Sequence, residues 1–324
     1  MLTSVVVPVY NSERFIDGCI DILSSQTSKN FEVVFVVDER STDDSRNKLE
    51  SVNDAAFPFR ILIQTDDDRL SGARNLGIDD ISGDYVWFMD IDDRPCDTFI
   101  EEMTEIMEKN DCDIAVCNFR YSHQFDDYEP PAKEYKIREY DSNGALIALN
   151  DGSLPIMMWN KVFRTSFIKE NNLYFVKGYC EDYDYMMRSF LKTDKIVYYN
   201  KPLYSYLLHN GSMSVGNGDL IAERDIEIFT QIANVIKEER PDFYEEFCSI
   251  ALIHILRSLT NADKGAFLRL SDAEIIKESL RYKQNKFSSE VFLFKLSKRL
   301  FHFVGRNARK MKFSRKELLF NEDI

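Results

Sequence analysis

The sequence predicts an α/β protein: a mainly parallel central sheet flanked by helices, with a helical C-terminal extension. Three observations carry this. β-branched apolar runs alternate with helical segments through the first ninety residues, polar and acidic residues gather where those runs end, and the pattern from about residue 219 is helical. Parallel strands joined by crossover helices are buried on both faces, so they read as continuous apolar runs rather than alternating ones.

The first strand is "LTSVVVPVY". Phe15, Cys19, Ile22 and Leu23 then recur at i, i+4, i+7 and i+8, which places one apolar face on a helix starting near Asn11 or Ser12 as N-cap. "FEVVFVVD" is the second strand, and "STDDSRNKLESV" opens a second helix with Ser41 or Thr42 as cap and acids in its first turn. "FRILIQ", "SGARNLGIDDI" and "DYVWFMD" supply a third strand, a third helix and a fourth strand. In "DTFIEEMTEIMEKN" the residues Phe99, Met103, Ile106 and Met107 share a helical face, capped by Asp97 or Thr98. "CDIAVCNFRY" reads as another strand, and residues 122–143, with Pro130 and Pro131, as a loop excursion. The strand-like "KIVYYNKPLYSYLL" leads into the polar loop "HNGSMSVGNG".

A chain of 324 residues has ample apolar material for one large domain or two smaller ones. Its six cysteines form no CxxC pair or His/Cys cluster, and no signal peptide precedes Met1. A reducing, cytoplasmic setting is expected, and zinc or redox chemistry is poorly supported. No run approaches the roughly 20 consecutive apolar residues of a membrane span. The net charge of -14 is uneven: residues 286–316 hold 10 Lys and Arg against 1 acid, whereas residues 1–285 hold 31 against 51. The acidic body should repel nucleic acid, while the basic tail suits an anionic surface.

In open α/β sheets ligands bind beyond the carboxyl ends of the strands. That rule brings Pro8 to Asn11, Asp38 to Ser41, Gln64 to Asp68 and Asp90 to Asp93 to one edge. Carboxylates crowded on a turn repel one another unless a cation lies between them. Asp-x-Asp spacing lets two side chains face one point, and Mg2+ held so shares its other positions with substrate phosphates. An exposed acidic turn, or a carboxylate capping the next helix, gives the same spacing.

In its wider setting the sequence resembles the family 2 glycosyltransferases, inverting enzymes of the GT-A fold. The matching stretches are "SVVVPVYNSERFI", "VVDERSTDDS" in place of the family's usual Asp-Asp-Gly-Ser-Thr-Asp, "SGARNLGI", "FMDIDD", "WNKVFR", "EDYDY" and "YSYLLHNGSMS", in order across roughly residues 1–215. The resemblance implies a GT-A catalytic domain over 1–215, with a nucleotide-sugar-binding part (1–118) and an acceptor part (119–215). Residues 216–324 are left as a helical region with a basic amphipathic tail.

Carried over by position, the resemblance implies that Pro8, Tyr10 and Asn11 lie beside the nucleotide base, with Tyr10 able to stack on it. Asp38 would accept hydrogen bonds from base or ribose, Arg74 would lie near the diphosphate or the DxD turn, and Asp90 would approach the ribose. Asp92, with Asp93 as alternative or second ligand, would hold Mn2+ or Mg2+. Asp182 would be the base that takes the proton from the acceptor hydroxyl, with Glu181 beside it orienting acceptor or loop. His209 would ligate the metal or touch the diphosphate from a loop. Trp159 would stack on an acceptor sugar or else belong to the core, and Lys161 would touch phosphate or acceptor or else be a solvated lysine.

The implied reaction is a metal-dependent single displacement. It moves a sugar from a nucleotide-diphosphate donor, UDP-linked on family grounds, to a hydroxyl of a glycan, lipid-linked or polymer acceptor in polysaccharide or cell-envelope building. Two departures stand out: Glu39 and Arg40 replace the family's Gly turn, and Asp66 to Asp68 form an acidic rim loop. In the tail, Phe292, Leu296, Leu300 and Phe303 share a helical face amid basic residues. That face suits peripheral contact with the inner side of the plasma membrane, or else packing as an ordinary terminal helix; the C-terminal region could also join two copies. Rival readings are a nucleotidyltransferase, for which the first strand lacks a Gly-rich phosphate loop, and a non-catalytic sugar-binding relative, which would have lost the DxD turn or the base. The absence of GxGxxG and GxxxxGK[ST] disfavours dehydrogenases and P-loop enzymes.

Overall fold

The computed structural model describes residues 1–122, 128–177, 181–208, 218–282 and 288–313. The chain divides into two units, the first running to residue 208 and the second from residue 218.

The first unit runs β1 (Thr3–Val9), α1 (Ile16–Ser24), β2 (Phe31–Asp38), α2 (Ser45–Glu50), β3 (Phe59–Gln64), α3 (Arg69–Asp80), β4 (Tyr85–Phe88) and β5 (Arg94–Pro95). It continues with α4 (Phe99–Asn110), β6 (Ile114–Ser122), β7 (Ile137–Tyr140), α5 (Ser142–Asp151), β8 (Lys161–Arg164), α6 (Thr165–Glu170), α7 (Glu181–Lys192) and β9 (Ile196–Leu207). Among the described residues the nine strands form one sheet in the order β3-β2-β1-β4-β8-β6-β9-β5, with β7 also on β9. The expected parallel arrangement holds through β3, β2, β1 and β4. Beyond β4 the sheet is mixed, because β8 pairs antiparallel with both β4 and β6, while β9 runs parallel to β6 and antiparallel to β5 and β7. β7 lies within the stretch expected to be a loop.

Strands β1, β2 and β4 are almost wholly buried, as their apolar runs require. Trp87 of β4 stacks on Phe99 of α4 with centroids 4.2 Å apart, and its indole donates to the Trp159 carbonyl at 2.7 Å. Helix α3 lies so close to β1 that a Cβ on Gly77 would collide with Val6.

Two helix starts differ from the expected ones. After β1 the chain makes a 3-10 turn at Glu13–Phe15, and α1 begins only at Ile16. Asn11 takes a left-handed φ of 47° and accepts from the Thr42 amide at 2.7 Å, and the Ser12 hydroxyl donates to the Tyr10 carbonyl at 2.9 Å. Asn11 thus ties the β1 loop to the β2 loop, the Ser12 hydroxyl stays within its own loop, and neither caps α1. Similarly, α2 starts at Ser45, whose amide and hydroxyl donate to Asp43 at 3.1 and 2.6 Å. Thr98 does sit at the N-cap of α4, but without a side-chain cap bond.

The second unit is helical: α8 (Gly218–Glu239), α9 (Tyr244–Leu259), α10 (Lys264–Leu270), α11 (Glu274–Ser279), α12 (Ser288–Leu296) and α13 (Lys298–Phe313). Ile228, Phe229, Ile232 and Ile236 of α8 are buried with Phe247, Leu252, Ile255 and Leu256 of α9, the spacing of amphipathic helices packed face to face. Asp263 caps α10 by accepting from the Ala266 amide at 2.7 Å. Among the described residues no helix is long and apolar enough to cross a membrane.

Candidate active site

The turn after β4 and the start of α7 meet around one side chain from α3. Arg74 is 1% exposed. Its Nη1 donates to Asp182 Oδ1 at 2.6 Å and to Glu181 Oε1 at 3.3 Å, and its Nη2 lies 3.6 Å from Asp90 Oδ1. The Phe175 ring sits 5.1 Å from its guanidinium carbon. A buried guanidinium survives only when paired, and here three carboxylates pair it. Burial alone would lower its basicity, but Asp182, Asp90 and Glu181 outweigh burial and raise it.

The acids outnumber the cation that holds them. Burial pushes the Asp90 carboxyl up to about 7, with Arg74 opposing and Asp92 and Asp182 assisting. Burial and the neighbouring Asp182 likewise bring Glu181 to about 7. Asp93 is 2% exposed and pushed well above the carboxylate range by burial and by Asp90 and Asp92. One of its oxygens accepts from the Leu207 amide at 2.8 Å, while the other is buried with no hydrogen-bond partner among the described residues. The Asp93 amide donates to the Asp90 carbonyl at 3.2 Å, which tightens the turn.

This donor set fits a hard divalent cation: every side-chain donor is a carboxylate oxygen, the cluster carries excess negative charge, and one buried Asp93 oxygen has only the Tyr204 hydroxyl near it, without a well-formed bond. Among the described residues no three metal-binding side chains form a ready cage. His209, the other expected ligand, lies outside the described residues.

At the ends of β1 and β2 the expected donor residues lie together. Pro8 pairs with Val36 in the sheet, Tyr10 is 57% exposed with its ring available for stacking, and Asn11 is committed to the Thr42 amide. Asp38 is nearly buried and already engaged: Arg40 donates to it from the backbone at 2.9 Å, from Nε at 2.8 Å and from Nη2 at 2.5 Å. Those bonds hold its carboxyl below the usual range. The acidic loop is tied down rather than merely solvated. Asp66 accepts from Gln64 Nε2 and from the Asp68 amide, both at 2.8 Å, and Lys177 pairs with Asp67 and Asp68.

The two residues expected to meet the acceptor are buried. Trp159 is 3% exposed and stacks on Tyr204 and Tyr206 with centroids 4.4 and 5.3 Å apart, which places its ring in the core. Lys161, far from being solvated, donates to the carbonyls of Pro155 and Met157 and to Asn160 Oδ1, the first at 2.6 Å and the last at 2.9 Å. It braces the segment before β8, and it lies near enough to Asp182 for that carboxylate to oppose the effect of burial on its ammonium. Asp184 pairs with Arg188 one turn along α7, which leaves Asp182 to face the cluster. A cavity of about 260 Å³ beside β5, lined by Arg94, Cys96, Thr98, Tyr128, Lys201 and Ser205, takes in none of the clustered acids.

Sequence reasoning missed Phe175 beneath Arg74, the Lys177 clamp and the Leu207 amide on Asp93. All three come from strands or loops distant in sequence, and no local pattern announces them.

A mixed sheet whose strand ends carry an acidic turn, with a helix-borne acid pair beside it, defines a GT-A-like protein. The Staphylococcus aureus TarS fragment 1–349, solved in complex with UDP-GlcNAc, shares this fold with a TM-score of 0.71 at 18% identity, over 100% of this chain and 98% of that one. Mannosyltransferase PcManGT from Pyrobaculum calidifontis, solved with GDP-Man and Mn2+, does so with a TM-score of 0.57 at 13% identity, over 97% and 88%. The family described as Glycosyl transferase family 2 matches residues 4–178, more than half of the chain. The chain belongs to that family, and so to the glycosyltransferase enzymes.

Among its relatives, glycosyltransferase GlyA of Streptococcus pneumoniae is 31% identical over 221 residues, 65% of this chain and 31% of GlyA. Putative glycosyltransferase EpsH of Bacillus subtilis is 26% identical over 269 residues, 78% of this chain and 74% of EpsH. The match thus spans about a third of GlyA's length and about three quarters of EpsH's.

Proposed function

We propose that the chain moves a sugar from a nucleotide-diphosphate donor to an acceptor hydroxyl by a single inverting displacement. The observation that carries this is the convergence of Asp90, Glu181 and Asp182 on one buried Arg74 at the carboxyl edge of the sheet. The UDP-GlcNAc bound to TarS supports a UDP-linked donor.

Tyr10 stacks on the base, Asp38 accepts from base or ribose, and Asp90 meets the ribose. Asp92 and Asp93 would hold Mn2+ or Mg2+, which when bound would neutralise charge on the departing diphosphate. Arg74 positions Asp182 by fixing Oδ1, and Oδ2 lies 3.4 Å from the Met158 amide with lone-pair capacity left for the acceptor proton. Glu181 stands beside it to orient the acceptor. Proton removal and departure of the diphosphate occur on opposite sides of the anomeric carbon, so the configuration inverts without a covalent enzyme intermediate. The acceptor is a glycan, lipid-linked or polymeric hydroxyl. The name of a relative, poly(ribitol-phosphate) beta-N-acetylglucosaminyltransferase TarS, denotes a polymer of this kind.

The test is a screen of nucleotide sugars with Mn2+ or Mg2+ for turnover and binding. Wild type should turn over one donor only with metal, and Asp92→Asn should lose that dependence together with donor affinity. Asp182→Asn should bind donor within a few-fold of wild type yet transfer ~10²–10⁴-fold more slowly. Full turnover by Asp182→Asn removes the base assignment; no metal-dependent binding of any donor removes the reading as a whole.

A further inference from the structure

Helices α12 and α13 carry two apolar faces, and only one is used. Val291, Phe294, Phe301 and His302 are at most 7% exposed and pack within the second unit, with Phe294 edge-on to Phe301 at 5.5 Å and His302 stacked on Phe267 at 4.4 Å. On the other face Phe292, Leu296 and Phe303 are 67, 65 and 66% exposed, and Leu300 and Val304 are 44 and 43% exposed. Helical hydrogen bonds cross the join between the helices, Ser297 N to Leu293 O and Phe301 N to Ser297 O, both 2.9 Å. The stripe therefore stays in phase over about four turns. Elsewhere among the described residues the exposed large apolar side chains are scattered singly, which is ordinary; a continuous apolar stripe is not.

We infer that this face docks the protein on a lipid surface bearing anionic headgroups. Charge selects that occupant. Lys295, Arg299 and Arg306 are exposed beside the stripe, and residues 286–316 hold 10 Lys and Arg against 1 acid. That acid, Glu290, is taken by Arg257. A two-fold pairing of this stripe with a second copy would bring two strongly basic segments together. Nucleic acid would match the charge but leave the phenylalanines in water. An anionic bilayer interface satisfies both, accepting the apolar side chains below the headgroups and the cations among them. The inference is independent of the donor site.

The experiment is flotation of the full chain with vesicles of phosphatidylglycerol and phosphatidylethanolamine, and with phosphatidylcholine alone, at low and high salt. Wild type should float with the anionic vesicles, more weakly at high salt and at least ~10-fold more weakly on phosphatidylcholine. The combined change F292S/L296S/F303S should cost at least ~10-fold, and R299Q/R306Q a comparable factor. All five positions are exposed, and far-UV melts check that both variants fold; should the first fail to fold, the second still decides. Equal flotation of wild type and the variants overturns the inference. So does a dimer in sedimentation velocity that F292S/L296S/F303S abolishes while no variant or wild type binds vesicles.

Discussion

The two units of this chain treat buried charge in opposite ways. In the first, Arg74, Asp93, Lys161 and Asp184 are all at most 4% exposed, and the cluster around Arg74 holds more acids than cations. In the second, the interior is mainly apolar with a few hydroxyls, Asp225 and His302 are its buried acid and base among the described residues, and its ion pairs, such as Arg269 with Glu223, lie at the surface. Burying a charge costs several kcal/mol before pairing returns any of it, so hydrophobic packing is the better route to stability alone. Three acids on one buried arginine, with Asp92 and Asp93 crowding Asp90, carry a cost that the packing around them must offset, and the proposed chemistry gives a reason for it.

The largest expected effect breaks this contrast at its centre. Arg74→Gln leaves Asp90, Glu181 and Asp182 without their shared cation, and breaking such a buried pair costs ~3–5 kcal/mol. Thermal melts should show that loss, and transfer should fall at least as far as in Asp182→Asn, because the base loses its anchor as well. The counterpart is Leu256→Ala, at a fully buried position in α9, which should cost ~2–5 kcal/mol of stability through its cavity. Donor affinity and turnover per folded molecule should be untouched there. If Arg74→Gln melts like wild type, the cluster is not strained as described. If Leu256→Ala impairs the chemistry itself, the contrast between the units fails.

The same contrast explains what the sequence revealed. The parallel half of the sheet was legible because "SVVVPV", "FEVVFVVD" and "DYVWF" are local apolar runs whose pattern is set by two-sided burial. The acids at the strand ends were legible as an edge through the ligand-binding rule for such sheets, and their pairing of Asp90 with Asp182 through Arg74 was approached only by family resemblance. The antiparallel insertion of β8 was not legible, since "KVFR" has four residues and nothing local fixes its partners. Neither was the burial of Trp159 and Lys161. A tryptophan in a loop carries no mark of whether aromatic neighbours from β9 will cover it. A lysine's usual exposure is overturned only by oxygens that its own loop happens to supply. In the second unit the periodicity sufficed, and the face carrying Phe292, Leu296, Leu300 and Phe303 is the face left exposed.

A smaller effect is expected at Arg40, where this chain has a charged side chain in place of the family's glycine. Arg40 is 37% exposed at its side chain and holds an Asp38 that is 8% exposed, so its hold is that of a solvent-screened rim pair and is weak. Donor groups reaching Asp38 compete with that hold. Arg40→Gly should therefore tighten donor binding by up to ~5-fold with kcat unchanged, measured by calorimetry and initial rates. Weaker donor binding in this variant would show instead that Arg40 itself contacts the donor, moving a cation from fold to function.

Acid titration separates the units in a different way. On β2, burial would raise the Glu32 carboxyl, but bonds from Arg60, Ser4 and Ser82 outweigh it and bring it down to about 2. Its folded value lies below the unfolded 4.5, so its contribution is complete above pH 4.5 and is lost as pH falls from 4.5 toward 2, at most ~3 kcal/mol. In α9, burial and the nearby Arg257 lower His254 to about 4. The unfolded chain takes that proton near 6.5 and the folded one resists it, so the second unit should weaken earlier, as pH falls from 6.5 to 4. The two tryptophans, Trp87 and Trp159, both lie in the first unit, so indole fluorescence follows that unit while far-UV dichroism follows both. Between pH 6.5 and 4 the second unit's part of the dichroism melt should shift down while the fluorescence melt does not, because the raised carboxyls of Asp90 and Glu181 favour the folded first unit as pH falls, and His254→Gln should flatten the downward shift. Glu32→Gln should lower the fluorescence midpoint at pH 7 and converge on wild type near pH 2. A single merged transition at every pH, in wild type and both variants, would mean that the two units unfold as one and that their charge economies are not separate.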